Sequence, residues 1–254
     1  MTDVLVLTGA ALLAGFVDAI VGGGGLIQTP ATLITLPQHP VATLLGTTKI
    51  PSFTGTSMAA WQYARRVQLQ VKLLLLMCSL AFVFALLGSL TVTVISNRFM
   101  KPVIFGVLIA VAVYTYTRKQ FGVQSGKRLH YRTEFLRGTL FAALIGFYDG
   151  FIGPGAGSFL VLFFISLLHF DFLQASAHAK FVNLATNMGS IVFFGFTGHI
   201  LWQYALPMAL ANLAGATLGT RMALLKGNQF IRWFFLAVIT ATIIRFGYDI
   251  FWKG

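Results

Sequence analysis

Charge is what this chain has least of. Asp, Glu, Lys and Arg make up 9% of its 254 residues, against roughly 25% in a soluble globular domain. So few charges cannot cover a water-facing surface, and the chain is not a soluble domain. Acidic residues are the scarcest, six against 18 lysines and arginines. A single cysteine, Cys78, leaves no disulfide framework and no cysteine metal motif. The five histidines, His39, His130, His169, His178 and His199, are scattered without metal-ligand spacing. No metal or other cofactor is expected. Met1-Thr2-Asp3 lacks a basic n-region and no small-residue cleavage pattern follows, so the first apolar stretch is expected to stay as a membrane segment.

Long apolar runs are what the chain does have. Between Val71 and Ile95 the only charge is Lys72, and Val103 to Thr117 has none. A hydrocarbon core of ~30 Å requires about 20 such residues of a helix. Backbone amides in lipid must be satisfied within the structure, which leaves helices or a closed barrel. Barrel strands would alternate with period two, and these runs do not. The fold class is therefore all-α, a polytopic helical membrane protein.

The net charge of +12 does not mark a nucleic-acid binder, because the basic residues sit at segment ends. Arg65, Arg66 and Lys72 form one group, and Arg118, Lys119, Lys127, Arg128, Arg132 and Arg137 another. That placement suits topology-setting charge beside anionic lipid. Trp61, Tyr63, Tyr114, Tyr116, Trp202, Tyr204 and Trp252 near segment ends suit interfacial belts.

One pattern occurs twice. Gly15-Phe16-Val17-Asp18, the run Gly22-Gly23-Gly24-Gly25 and Lys49 reappear as Gly146-Phe147-Tyr148-Asp149, Gly153-Pro154-Gly155-Ala156-Gly157 and Lys180. Asp18 and Asp149 are 131 residues apart, and so are Lys49 and Lys180. A shift of 131 also matches Gly88 with Gly219, Asn97 with Asn228 and Phe99 with Phe230. Two repeats of about 110 residues are expected, in N-terminal (1–118) and C-terminal (138–254) units joined by a basic linker at 119–137.

Each repeat divides into five pieces, near 4–21, 25–36, 40–64, 71–95 and 101–118, then 138–152, 157–169, 172–196, 201–222 and 229–251. About eight transmembrane helices are expected, with the short second pieces broken or re-entrant. A dozen residues span only about 18 Å. An odd count inverts the second copy, and the basic residues agree. Cytoplasmic loops at 65–72, 118–137 and 221–228 then hold most of them, while Arg98, Lys101 and Lys253 lie opposite. The termini are placed outside, and re-entrant hairpins would keep that orientation with fewer crossings.

The third piece of each repeat carries a polar stripe. Lys180, Asn183 and Asn187 share one helical face, as do Lys49, Ser52 and Thr56. A lysine at a membrane helix centre costs about 2.5–3.5 kcal/mol and normally faces the bundle interior or water. Functionally it is an ammonium for an anionic solute. Structurally it pairs with the aspartate of its own repeat, Lys49 with Asp18 and Lys180 with Asp149. The glycine breaks allow sharp turns, and the helices after them start with free N–H groups that attract anions. Asp18 and Asp149 are the acidic residues well inside apolar segments, candidates for an ion pair or proton coupling.

At these residues the chain resembles the TauE/SafE sulfite-exporter family of bacterial membrane transporters, in its YfcA-like branch. The likeness rests on Ala14-Gly15-Phe16-Val17-Asp18-Ala19-Ile20, Gly46-Thr47-Thr48-Lys49, Gly146-Phe147-Tyr148-Asp149-Gly150 and Ala177-His178-Ala179-Lys180. It departs at Thr48, where the family often has Asn. The resemblance implies a two-repeat inner-membrane permease for sulfur-containing anions such as sulfite or organosulfonates.

The expected function is secondary transport of a small anion by alternating access. Lys49, Lys180, Gly22 to Gly25, Gly153, Pro154, Gly155 and Gly157 would form the site, lined by Ser52, Thr56, Asn183 and Asn187. An uncoupled anion channel and a non-transporting assembly subunit are the competing readings. No acid–base or nucleophile constellation supports an enzyme. Expected partners are the anionic solute and membrane lipid, with a homodimer allowed and nucleic acid excluded.

Overall fold

The computed structural model describes residues 2–95, 106 and 131–252. The expected helix at 101–118, linker residues 119–130 and the basic residues Arg98, Lys101, Arg118, Lys119, Lys127, Arg128 and Lys253 lie outside them, as do the repeat matches Asn97 and Phe99.

Eight helices form among the described residues, and no strand. They are α1 (Thr2–Val21), α2 (Gly25–Thr35), α3 (Val41–Ala64), α4 (Val71–Val94), α5 (Tyr131–Phe151), α6 (Ala156–Ser166), α7 (Phe172–Phe196) and α8 (Trp202–Trp252). Three stretches are long and apolar enough to cross a membrane by themselves: Thr2–Val21, Val71–Val94 and Trp202–Ile231. One boundary differs from the sequence expectation. Helix α5 already includes Tyr131, the first residue described after 106, and so covers part of the stretch read as linker, because 131–137 has no glycine or proline to stop it. The pieces near 201–222 and 229–251 follow one another along α8 as two helices that meet at a kink at Gly227, whose backbone is not helical (φ 68°, ψ −163°).

Residues shared across the packed helices fix their directions. Gly138 lies against Leu73 and Met77, Gly146 against Ala81 and Gly150 against Ala85, so α5 runs parallel to α4. Leu12 and Phe16 meet Gly215 and Gly219, so α1 runs parallel to α8. Thr47 Oγ1 accepts from Leu201 N (3.0 Å) and Thr54 Oγ1 donates to Ala209 O (3.2 Å), which aligns α3 with α8. Gln70 N donates to His178 Nε2 (3.0 Å) and Gly189 meets Phe82, which aligns α7 with α4. Gly46 near the start of α3 touches Phe194 near the end of α7, so those two oppose. Each helix of the first repeat thus runs opposite to its mate in the second. The repeats are inverted.

They are also interlocked. Helices α1 and α3 pack mainly on α8 of the other repeat, and α5 and α7 pack mainly on α4. Lipid tails are as apolar as leucine, so close backbone approach has to supply the attraction between helices. A Cβ on Gly88 would overlap the Phe147 carbonyl, and one on Gly219 would overlap that of Phe16, its repeat mate. The same small-residue contact is made twice, once from each repeat.

The short helices complete two re-entrant hairpins. Helix α2 turns back along α1, and Leu36 joins Leu7 and Leu44 in one apolar cluster. Helix α6 turns back toward the start of α5, where Arg137 donates to Leu167 O (2.9 Å). The hairpins enter from opposite ends and meet tip to tip, Gly22 against Gly157 and Gly25 against Pro154. Gly22 has φ +78°, and a Cβ there would overlap the Gly157 backbone. Only glycine satisfies both demands.

Candidate functional site

The polar stripes of α3 and α7 flank the hairpin tips. Their lysines are buried, Lys49 at 6% exposure and Lys180 at 0%. A pairing within each repeat does not form. Lys49 Nζ instead lies 3.0 Å from Asp149 Oδ1 and donates to the Asp149 carbonyl at 2.6 Å. Lys180 Nζ lies 2.9 Å from Asp18 Oδ2 and also donates to the Asp18 carbonyl. The pairs cross because α3 opposes α7 and the hairpins meet at their tips. Each lysine therefore reaches the aspartate carried by the other repeat's hairpin.

The crossed pairs are not equivalent. Asp18 is well supplied, with Gly24 N donating to Oδ1 (3.3 Å) and Thr56 Oγ1 to Oδ2 (3.5 Å). Asp149 is more deeply buried, and its Oδ2 has no partner. An unpaired buried carboxylate oxygen is expensive, so this atom is a natural place for a water.

Between the tips lies a cavity of about 40 Å³. Ordered water needs only about 10–15 Å³ in a polar site, so this cavity has room for it. Lys49, Ser52, Asn183, Asn187, Asp18 and Asp149 line it, with Gly22, Gly25, Gly153, Pro154, Gly155 and Gly157 from the tips. Of the expected residues, Gly23, Gly24, Thr56 and Lys180 do not reach it. Gly24 and Thr56 stand behind it on Asp18, and Lys180 is sealed beneath the same carboxylate.

The cavity is one-sided. It touches Leu45, Thr48 and Lys49 on α3, but not their repeat mates Ser176, Ala179 and Lys180 on α7. It extends toward the start of α3, the end where the 36–40 and 197–201 turns lie. Two helix N-termini border it, those of α2 at Gly25 and α6 at Ala156. Such ends carry positive partial charge and backbone donors without intrahelical partners. These ends and Lys49 supply donors that an anion could use, while Asp18 and Asp149 on the same wall offset their charge.

Three contributors escaped the sequence reading. Gln28 Nε2 donates to Thr48 O (2.8 Å), and Asn212 Nδ2 donates to Gln28 Oε1 (3.0 Å), a buried chain tying α2 to α3 and α8. Thr29 lines the cavity directly. Their repeat mates are Phe159, Ala81 and Leu160, so comparing the copies passes over them. The available signal was the lone amide in an apolar segment, which needs a partner once buried. His178 is held at both ring nitrogens, Nδ1 donating to Gln174 O (2.7 Å) and Nε2 accepting from Gln70 N. It ties α7 to the turn before α4.

Two inverted helical repeats, closed around a buried charged centre and faced with apolar side chains, define a polytopic helical membrane protein. The sulfite exporter TauE/SafE family matches residues 7–246, and the chain belongs to that family. A probable membrane transporter protein, ORF9, of Sinorhizobium sp. is 40% identical over 93% of this chain and 89% of its own length. A probable membrane transporter protein of Haemophilus influenzae is 35% identical over 87% of this chain and 85% of its own. The probable membrane transporter protein YfcA of Escherichia coli is 32% identical over 96% of this chain and 89% of its own. No solved structure matches. The protein is a membrane transporter.

Proposed function

We propose that this transporter is a secondary carrier of a small anion in the bacterial inner membrane, and that it works by alternating access. The observation that carries the reading is the one-sided cavity at an inverted-repeat centre. Inverted repeats hold two related conformations in one sequence. In the present one Lys49 faces the cavity and Lys180 is sealed. Exchanging the roles of the repeats would seal Lys49 and open Lys180 toward the other end. Both lysines then serve the anion, one per state, with the hairpin tips and the amide stripe of Asn183 and Asn187 lining its path.

Sulfite or an organosulfonate is the substrate class that the family's description supports. The donors are backbone N–H groups, an ammonium and amides, which suit a compact oxyanion. Residues 1–118 and 138–254 act as the two transport repeats around the 119–137 linker. The end carrying Arg65, Arg66, Lys72, Arg132, Arg137 and Arg221 is cytoplasmic by the positive-inside rule, and the termini are periplasmic.

Coupling to protons follows from competition for Lys49. The anion and the Asp149 carboxylate want the same ammonium, and protonating Asp149 releases it. Proteoliposome flux tests the reading. Saturable counterflow that disappears in both Lys49→Ala and Lys180→Ala supports the carrier, whereas ohmic current without counterflow marks a channel. Unchanged flux in the double variant removes the site.

A further inference from the structure

A second cavity lies away from the charged centre. It occupies about 730 Å³ between the last turns of α3, the start of α7 and the middle of α8. Arg65, Arg66 and Arg221 converge on it, and Met58, Trp61 and Leu224 form its apolar wall. Arg65 follows Lys49 by sixteen residues on or just past α3, about 24 Å at the helical rise. None of the three arginines takes part in an ion pair among the described residues. The Arg65 guanidinium lies 3.9 Å from the Trp61 ring centroid, which holds it at the rim.

The inverted repeats supply a control within the same molecule. The repeat mates of Arg65, Arg66 and Arg221 are Phe196, Thr197 and Leu90, so none of the three charges is repeated at the matching positions. The shared transport scaffold does not require these arginines. Topology-setting charge accounts for basic residues at this face, but not for their gathering around one cavity. A free oxyanion has no use for the leucine and methionine wall, and solvent exposure alone would not gather three guanidiniums around a cavity of ligand size. A phosphodiester headgroup with acyl chains uses both parts. Basic pockets between helices at the cytoplasmic face are suited to anionic headgroups, and guanidinium forks match phosphate geometry.

We propose that this cavity is a binding site for one anionic phospholipid, its phosphate on Arg65, Arg66 and Arg221 and its chain against Met58 and Leu224. The site sits where α3 and α8 of opposite repeats pack, so the lipid braces the joint between them.

Native mass spectrometry on delipidated full-length protein is the test, with phosphatidylglycerol, cardiolipin or phosphatidylcholine added back in detergent. Retention of the two anionic lipids over phosphatidylcholine is expected. The Arg65→Gln/Arg66→Gln/Arg221→Gln variant should lose at least tenfold in that affinity, since each basic residue near an anionic surface contributes roughly fivefold. All three side chains are exposed, so the variant should fold, and its melting temperature without added lipid checks this. Arg132→Gln, an exposed charge outside the cavity, should bind as wild type. Equal retention of phosphatidylcholine, undiminished binding by the triple variant, or displacement by inorganic phosphate at equal concentration would each overturn the lipid site. The last would mark a free-anion site instead.

Discussion

Lys49 and Lys180 are repeat mates in sequence but not in circumstance. Lys49 borders the cavity and shares Asp149, whose second oxygen is unpartnered. Lys180 is sealed under Asp18, which takes further donors from Gly24 and Thr56. Breaking a buried pair from one side costs about 3–5 kcal/mol when the remaining charge stays dry. Lys49→Met should therefore lower stability by that order, read as a loss of melting temperature, because it strands the more deeply buried Asp149, while Lys180→Met should cost less because Asp18 is more exposed and keeps its Gly24 and Thr56 donors. A double-mutant cycle separates crossed from uncrossed pairing. Lys49 and Asp149 should couple by about 1–3 kcal/mol, well above any coupling between Lys49 and Asp18. Asp149→Asn should abolish flux driven by a pH gradient but keep counterflow, if the proposed proton route holds. Individual residue types made these candidates legible, since a lysine in an apolar helix announces itself. Their partners were not legible, because the aspartate 31 residues back in sequence is not the one that folding brings near.

Hairpins are the elements that make the site. Four glycines and the Gly-Pro-Gly turn mark the breaks in sequence, and an eleven-residue helix after each is too short to cross. What that pattern leaves open is whether the chain continues or turns back. Packing of Leu36 beside Leu7, and of Leu167 beside Arg137, shows that both turn back. Substitutions at the tips should be severe. A Cβ at Gly22 or Gly157 would overlap the opposing backbone, so either changed to Ala should separate the tips and abolish flux, with reduced recovery of folded protein. Gly9, with open space around it, should accept Ala with wild-type flux. The two short helices also differ in kind. Helix α6 is almost wholly apolar and buried, whereas α2 carries Gln28, Thr29 and Thr32. Both tips line the cavity, and only α2 adds a polar side chain to it, Thr29.

At the scale of the molecule, the described turns at the two ends of the bundle differ in charge. The 65–70 turn, the start of α5 and the Gly227 break lie at one end, where Asn228 Oδ1 accepts from Leu173 N at 2.7 Å. The 36–40 and 197–201 turns lie at the other, and neither contains Lys or Arg. In a Cys78→Ser background, Gln68→Cys should react with an impermeant maleimide only from the cytoplasmic side, and Thr197→Cys only from the periplasmic side. Labelling of both from one side would refute the inverted topology.

The chain's own residues determined a helical membrane protein, its duplication, its inversion and most of its buried polar positions, because those follow from local hydropathy, spacing and charge bias. Only the tertiary structure decided that the repeats interlock, that the ion pairs cross between them and that one lysine is open while its mate is sealed. Those facts depend on which helices touch. Between apolar helices in lipid, that choice rests on close fits such as Gly88 on Phe147 and Gly22 on Gly157, which no local pattern encodes.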